Sequence, residues 1–250
     1  MDTEDVLVRQ KGSSRMKIAR TNSVTAAMTL AFFVGCGAST GSEKGGVTVE
    51  HGEPKNFQIF PPQLFAGYDG VNTYSIPMQV FKNAGPVTVT VDDMSLVSVV
   101  KMNADSTQIT YKAMKDGKTM VHATAGGKTV SAPLTINKYT PEQNAAGKKR
   151  YTAGPDKDNP ACQECHGAGK GPDHTPSEID ADADEDIINT YVTGRDPENR
   201  PVGEEYTQLL KGYKHMWKIT EEEKSGLVVY LRSLPPTGYP EYDAPTANEE

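Results

Sequence analysis

Between residues 47 and 137, apolar side chains recur at every second position. Val87, Val89 and Val91 alternate with Thr88 and Thr90. Val97, Val99 and Val100 keep up the β-branched content. Ile109 and Tyr111 alternate, as do Val121 and Ala123, and Val130, Ala132, Leu134 and Ile136 form the last run. A period of two puts one set of side chains on one face of a strand. Turn residues divide the runs: Asn83-Ala84-Gly85, Asp92-Asp93, Asn103-Ala104-Asp105, Lys115-Asp116-Gly117 and Gly126-Gly127. This spacing predicts an antiparallel β-sandwich of about seven strands.

From Tyr139 the period becomes helical. Thr140-Pro141-Glu142-Gln143 reads as a hydroxyl cap, a proline at the first helical position and a glutamine that closes a capping box; the helix runs to about Tyr151. Gly147 offers a neighbouring helix a close approach, with no Cβ in the way. A second helix is predicted from near Asp184 through Ile187, Ile188, Tyr191 and Val192, with an acidic first turn that suits the helix dipole. A third follows the Thr220 cap and Glu223. Leu227, Tyr230, Leu231 and Leu234 recur along it, and Pro235-Pro236 stops it.

Composition narrows the setting. The chain has 250 residues with 26 basic and 33 acidic side chains, a net charge of −7. That balance argues against a nucleic-acid surface. Three cysteines exclude a disulfide-dense scaffold. The sandwich stretch is charge-balanced, whereas residues 138–250 hold 22 acidic and 13 basic side chains. A partner of that half is expected to present a basic docking face, with salt-sensitive encounter rates.

Met16 to Cys36 reads as an export signal: Lys17 and Arg20, then an apolar run from Val24 through Val34 that is too short to stay in a membrane as a spanning helix. The end, Phe33-Val34-Gly35-Cys36, resembles a bacterial lipoprotein signal, with Phe33 where leucine is usual. The resemblance implies cleavage before Cys36 and lipidation of its thiol. Gly37 after the cysteine then implies the outer membrane. Residues 1–36 are thus leader, and 37–46 read as a flexible tether. The five basic and three acidic residues before Cys36 leave a mature chain with 21 basic and 30 acidic side chains.

The motif with the clearest chemistry is Cys162-Gln163-Glu164-Cys165-His166. Two thiols three apart can each add to a vinyl group of one haem, and the next residue then sits under the iron. A zinc site would need two more ligands, and His174 and His215 are the only other nearby histidines. A thioredoxin-like pair would need a βαβ setting, and a structural disulfide would leave His166 incidental.

Residues 140–236 resemble a class I c-type cytochrome domain. The resemblance rests on Gly147 and Tyr151 in the first helix, Cys162 to His166 followed by Gly167, Pro172 beyond, and Leu227-Val228-Val229-Tyr230-Leu231-Arg232-Ser233-Leu234. It implies one covalent haem c on Cys162 and Cys165, with His166 as proximal ligand. Pro172 and Trp217 are expected to pack near the haem. Met216, just before the last helix, is the implied distal ligand, with His215 as rival and His174 as a weaker one. Tyr206, Tyr213, Arg195 and Arg200 are candidates to reach a propionate. Residues 47–137 resemble a bacterial immunoglobulin-like domain, chiefly in Val97-Ser98-Val99-Val100 and the Gly117 to Ala123 run.

The expected organisation is therefore a leader over 1–36, a tether over 37–46, an immunoglobulin-like sandwich over 47–137, an all-α cytochrome c fold over 138–236 and a loose tail over 237–250. The expected activity is electron carriage between redox proteins on the periplasmic side, without catalysis of its own. One alternative is a haem-bearing subunit of a larger oxidoreductase. A haem sensor or peroxidase would need an open distal site. Another alternative is a lipid-anchored surface protein that acts through its sandwich.

Overall fold

The computed structural model describes residues 54, 56–81, 83, 85–154, 160–167, 173–195 and 219–241. Eight strands come first. They are β1 (Gln58–Phe60), β2 (Leu64–Tyr68), β3 (Ser75–Phe81), β4 (Thr88–Val91), β5 (Val97–Met102), β6 (Gln108–Ala113), β7 (Gly117–Ala125) and β8 (Lys128–Lys138). They form two four-stranded sheets, ordered β1-β3-β6-β5 and β2-β8-β7-β4.

The alternation seen in the sequence places one face of each sheet inward. Ile76, Met78, Ile109 and Tyr111 from one sheet meet Leu64, Val121, Ala123, Ala132 and Leu134 from the other in one buried cluster. Full burial of a large aliphatic side chain contributes about 1.5–3 kcal/mol. The pairing is antiparallel except in one place: β2 runs parallel to β8, with Leu64 opposite Leu134 and Tyr68 opposite Lys138. The expected all-antiparallel sandwich is corrected there. β2 and β8 are far apart in sequence, so no hairpin forces them into opposite directions. Between β2 and β3 the chain turns on Asp69, whose carboxylate accepts from the Val71 and Asn72 amides, Asn72 Nδ2 and the Tyr74 hydroxyl.

A helical region follows: α1 (Pro141–Thr152), a 3-10 turn at Cys162–Glu164, then α2 (Pro176–Ile179), α3 (Asp184–Thr193) and α4 (Glu221–Arg232). The α1 cap is the capping box read from the sequence. The Gln143 amide donates to Thr140 Oγ1, and the Thr140 amide donates to Gln143 Oε1. Thr220 and Glu223 make the same box on α4. Helices α1 and α4 cross where two glycines meet. A Cβ on Gly147 would lie 1.8 Å from the Gly226 carbonyl oxygen and 2.8 Å from Tyr230 Cβ. Tyr151, Ile179, Ile187, Tyr191, Leu227, Val228 and Leu231 form the second buried cluster.

Residues after α4 are also held. Gln79 Nε2 donates to the Pro240 carbonyl, and Lys101 Nζ lies 5.7 Å above the Tyr239 ring. The described residues of the sandwich and the helices belong to one compact unit. Among the described residues, no helix is long and apolar enough to cross a membrane.

Candidate functional site

Two features stand out, a pocket in the helical region and an edge of the sandwich. The pocket has a cavity volume of about 130 Å³. Its floor comes from the helix cluster, through Tyr151, Tyr191, Leu227 and Leu231. The Cys162–His166 turn and His174 make its rim, with Arg150 and Ile219 beside them. The turn is wound tightly: the amides of Cys165 and His166 both donate to the Cys162 carbonyl, at 3.3 and 3.1 Å. Both cysteines are free thiols of intermediate exposure. The structure therefore brings Cys162, Cys165, His166 and His174 together at one cavity.

The electrostatics of the pocket follow its burial. Desolvation pushes the Cys162 thiol up, and Arg150 opposes that shift. Desolvation also raises the Tyr151 phenol to about 12 and the Tyr191 phenol well above its ordinary value. Both phenols are therefore neutral hydrogen-bonding groups at physiological pH. The Tyr191 hydroxyl is buried and meets no hydrogen-bond partner among the described residues. The His166 imidazole lies face to face with His174, ring centres 3.5 Å apart and planes inclined by 21°.

Met216, His215, Trp217, Pro172, Tyr206, Tyr213, Arg200 and Cys36 lie outside the described residues. Arg195 lies just after α3, exposed, and is absent from the cavity lining.

The haem c expectation is corrected at this point. Among the described residues, no three side chains of His, Cys, Asp and Glu come together as a group able to hold a metal ion. The His166 ring stands at the cavity, stacked on that of His174. These findings overturn the class I cytochrome assignment of residues 138–236, the covalent haem on Cys162 and Cys165, and the role of the chain as an electron carrier. The helical character of the region stands.

The edge lies on the sandwich. β5 is the last strand of its sheet and is paired on one side only, to β6. The pairing register with β6 shifts between Val99 and Lys101, as at a β-bulge. Val99, Val100 and Met102 are 49%, 61% and 53% exposed, and Met94 and Met114 nearby are exposed as well. Sandwiches usually blunt such edges with charge or proline. Here the edge carries one lysine, Lys101, amid exposed apolar side chains.

Sequence reasoning missed a third group. Arg232, 1% exposed, is buried with Asp180 where the sandwich and the helices meet, beside the half-buried Asp184. Its Nε donates to Asp184 Oδ1 at 2.8 Å, and Nη2 donates to the Asp182 carbonyl at 2.6 Å. The run from Asp180 to Asp186 looks like a solvated helix start, yet Asp180 is 2% exposed. The available signal was a single arginine inside the apolar run Leu227 to Leu234.

No family model matches the chain, and no curated protein matches it. Among solved structures it is similar to domains 4 and 5 of the S-layer protein SbsC (17% identity, 33% of this chain and 51% of that one, TM-score 0.25). Domains 5–6 of SbsC give 16% identity over 33% of this chain and 43% of that one, at a TM-score of 0.26. The M1 domain from titin gives 7% identity over 30% of this chain and 89% of that one, at a TM-score of 0.25. The chain thus spans about half the length of the first SbsC fragment.

Proposed function

We propose that this chain is an exported, surface-associated protein that acts through an immunoglobulin-like sandwich used as a docking module. The observation that carries the reading is the β5 edge, a strand at the sheet margin with Val99, Val100 and Met102 exposed along it. Such an edge recruits a partner strand by main-chain hydrogen bonds, and the exposed side chains select the partner. The leader pattern before Cys36 and the polar tether after it support a lipid anchor, which would hold the module at a membrane surface.

The test has two arms. Labelled fatty acid should enter the wild-type protein and not Cys36→Ser, and only the wild type should sediment with membranes. Purified protein lacking the leader should bind isolated cell envelopes, and Val100→Lys with Met102→Lys should weaken that binding at least tenfold. Unchanged binding by the double variant would remove the edge as the docking site.

A second reading rests on the Tyr191 hydroxyl. With Tyr151, Cys162, Cys165 and His166 it lines a cavity of largely apolar character. Such a cavity fits an apolar ligand bearing one polar group that bonds the Tyr191 hydroxyl. Tyr191→Phe should then weaken ligand binding without unfolding the helices.

A further inference from the structure

The joint between sandwich and helices is built from polar groups, and that is unusual for so buried a place. Two groups come from the sandwich side: Asn137 Nδ2 and the Tyr139 hydroxyl both donate to Asp184 Oδ2, at 2.8 and 2.7 Å. The other oxygen of Asp184 accepts from Arg232 Nε. Arg232 Nη1 reaches across to the carbonyl of Phe65 in β2, at 3.2 Å, and its guanidinium lies 5.9 Å from the Phe65 ring. The Phe65 amide in turn donates to the Asp180 carbonyl at 2.8 Å. Apolar contact adds to this, since Val229 of α4 joins the sandwich core.

Burial works against the Arg232 charge, yet Tyr139, Asp184 and Asp180 together hold its pKa above the ordinary value. The guanidinium is therefore a fixed cation with partners on both sides of the joint. Buried ion pairs of this kind are weak evidence for net stability and better evidence for a specified geometry.

The helices in the joint also wall the pocket. α3 carries Asp184 at its start and Tyr191 two turns on; α4 carries Leu231 directly before Arg232 and Leu227 one turn earlier. The joint and two walls of the cavity therefore share the same helices.

We propose that Arg232 and Asp184 form a latch that couples the sandwich to the helical pocket, so that the two open and close as one unit. Closed, it fixes α3 and α4 against β2 and β8. Released, it leaves the sandwich folded on its own core and lets the pocket walls loosen. This inference stands apart from the docking role of β5, which lies in the other sheet.

The test is amide hydrogen exchange on the full mature chain, comparing the slowest amides of α4 with those of β6. In the wild type the two sets should exchange at matched rates. In Asp184→Asn the α4 amides should exchange more than tenfold faster than those of β6. Tyr139→Phe, which keeps the ring and loses one bond to a carboxylate, should separate them by about tenfold. Unmatched rates in the wild type, or matched rates in both variants, would overturn the latch.

Discussion

The α1–α4 crossing gives a prediction whose sign depends on packing. Gly147→Ala places a methyl group 1.8 Å from the Gly226 carbonyl oxygen, where carbon and oxygen normally come no closer than about 3.3 Å. The helices must then part by about 1.5 Å. A gap of even 0.5–1 Å forfeits roughly a quarter to a half of the dispersion energy at each contact. Overpacking of this kind costs about 1–3 kcal/mol, and more when the obstacle is backbone. Against that, alanine is the better helix former by about 1 kcal/mol. Because the obstacle is a backbone oxygen, the top of that range applies, about 3 kcal/mol, and the net expectation is a loss of about 2 kcal/mol. Gly226→Ala should behave alike, because its Cβ would lie 2.7 Å from the Gly147 amide nitrogen. The double variant should cost less than the sum, since the first methyl has already parted the helices. Urea unfolding followed by far-ultraviolet circular dichroism measures all three. A Gly147→Ala variant as stable as the wild type, or more so, would refute the close crossing.

Other expectations follow from single groups. Thr140→Ala removes one half of the α1 capping box and should cost about 1 kcal/mol in the same unfolding assay. Asp69→Ala leaves two backbone amides and the Tyr74 hydroxyl without their acceptor and should cost about 2 kcal/mol. Although desolvation opposes it, hydrogen bonding holds the Asp69 pKa below its ordinary value. The stability it contributes is present above the unfolded pKa and lost as the pH falls through the folded one. Asp180 has the opposite sign, because burial raises its carboxyl well above 3.8 despite Arg232. Its contribution is fully present below the unfolded pKa and is lost as the pH rises. Asp180→Asn should therefore flatten the pH profile of the melting temperature and raise that temperature at neutral pH.

The parts of the fold that follow a local rule were legible in the sequence. Alternation marked the strands around Val87–Val91 and Val130–Ile136, because a half-buried strand must sort its side chains by face. The two capping boxes were legible because Thr140 with Gln143, and Thr220 with Glu223, satisfy their own helix ends. The parallel β2–β8 pair was not, since it joins segments some seventy residues apart. Gly147 was recognisable as a place for close approach, but its partner Gly226 was not. The Arg232 joint escaped notice because Asp180 and Asp184 resemble any acidic helix start until a buried guanidinium is found beside them. The Cys162–His166 spacing suggested a cofactor; the structure shows a tight turn at a cavity, with His166 stacked on His174. The β5 edge was read only as β-branched content, because exposure at a sheet margin depends on strand order.

On the proposed docking role, the chain acts through the margin of its sandwich and not through the Cys162–His166 segment. The most direct measurement compares two variants of exported, purified protein in one envelope-binding assay, with a visible absorption spectrum taken of each preparation. Cys162→Ser, Cys165→Ser and His166→Ala combined should bind like the wild type, whereas Val100→Lys with Met102→Lys should lose binding. Loss of binding in the first variant and retention in the second would contradict the claim, as would a thiol-linked chromophore in the wild-type spectrum that disappears with the cysteines.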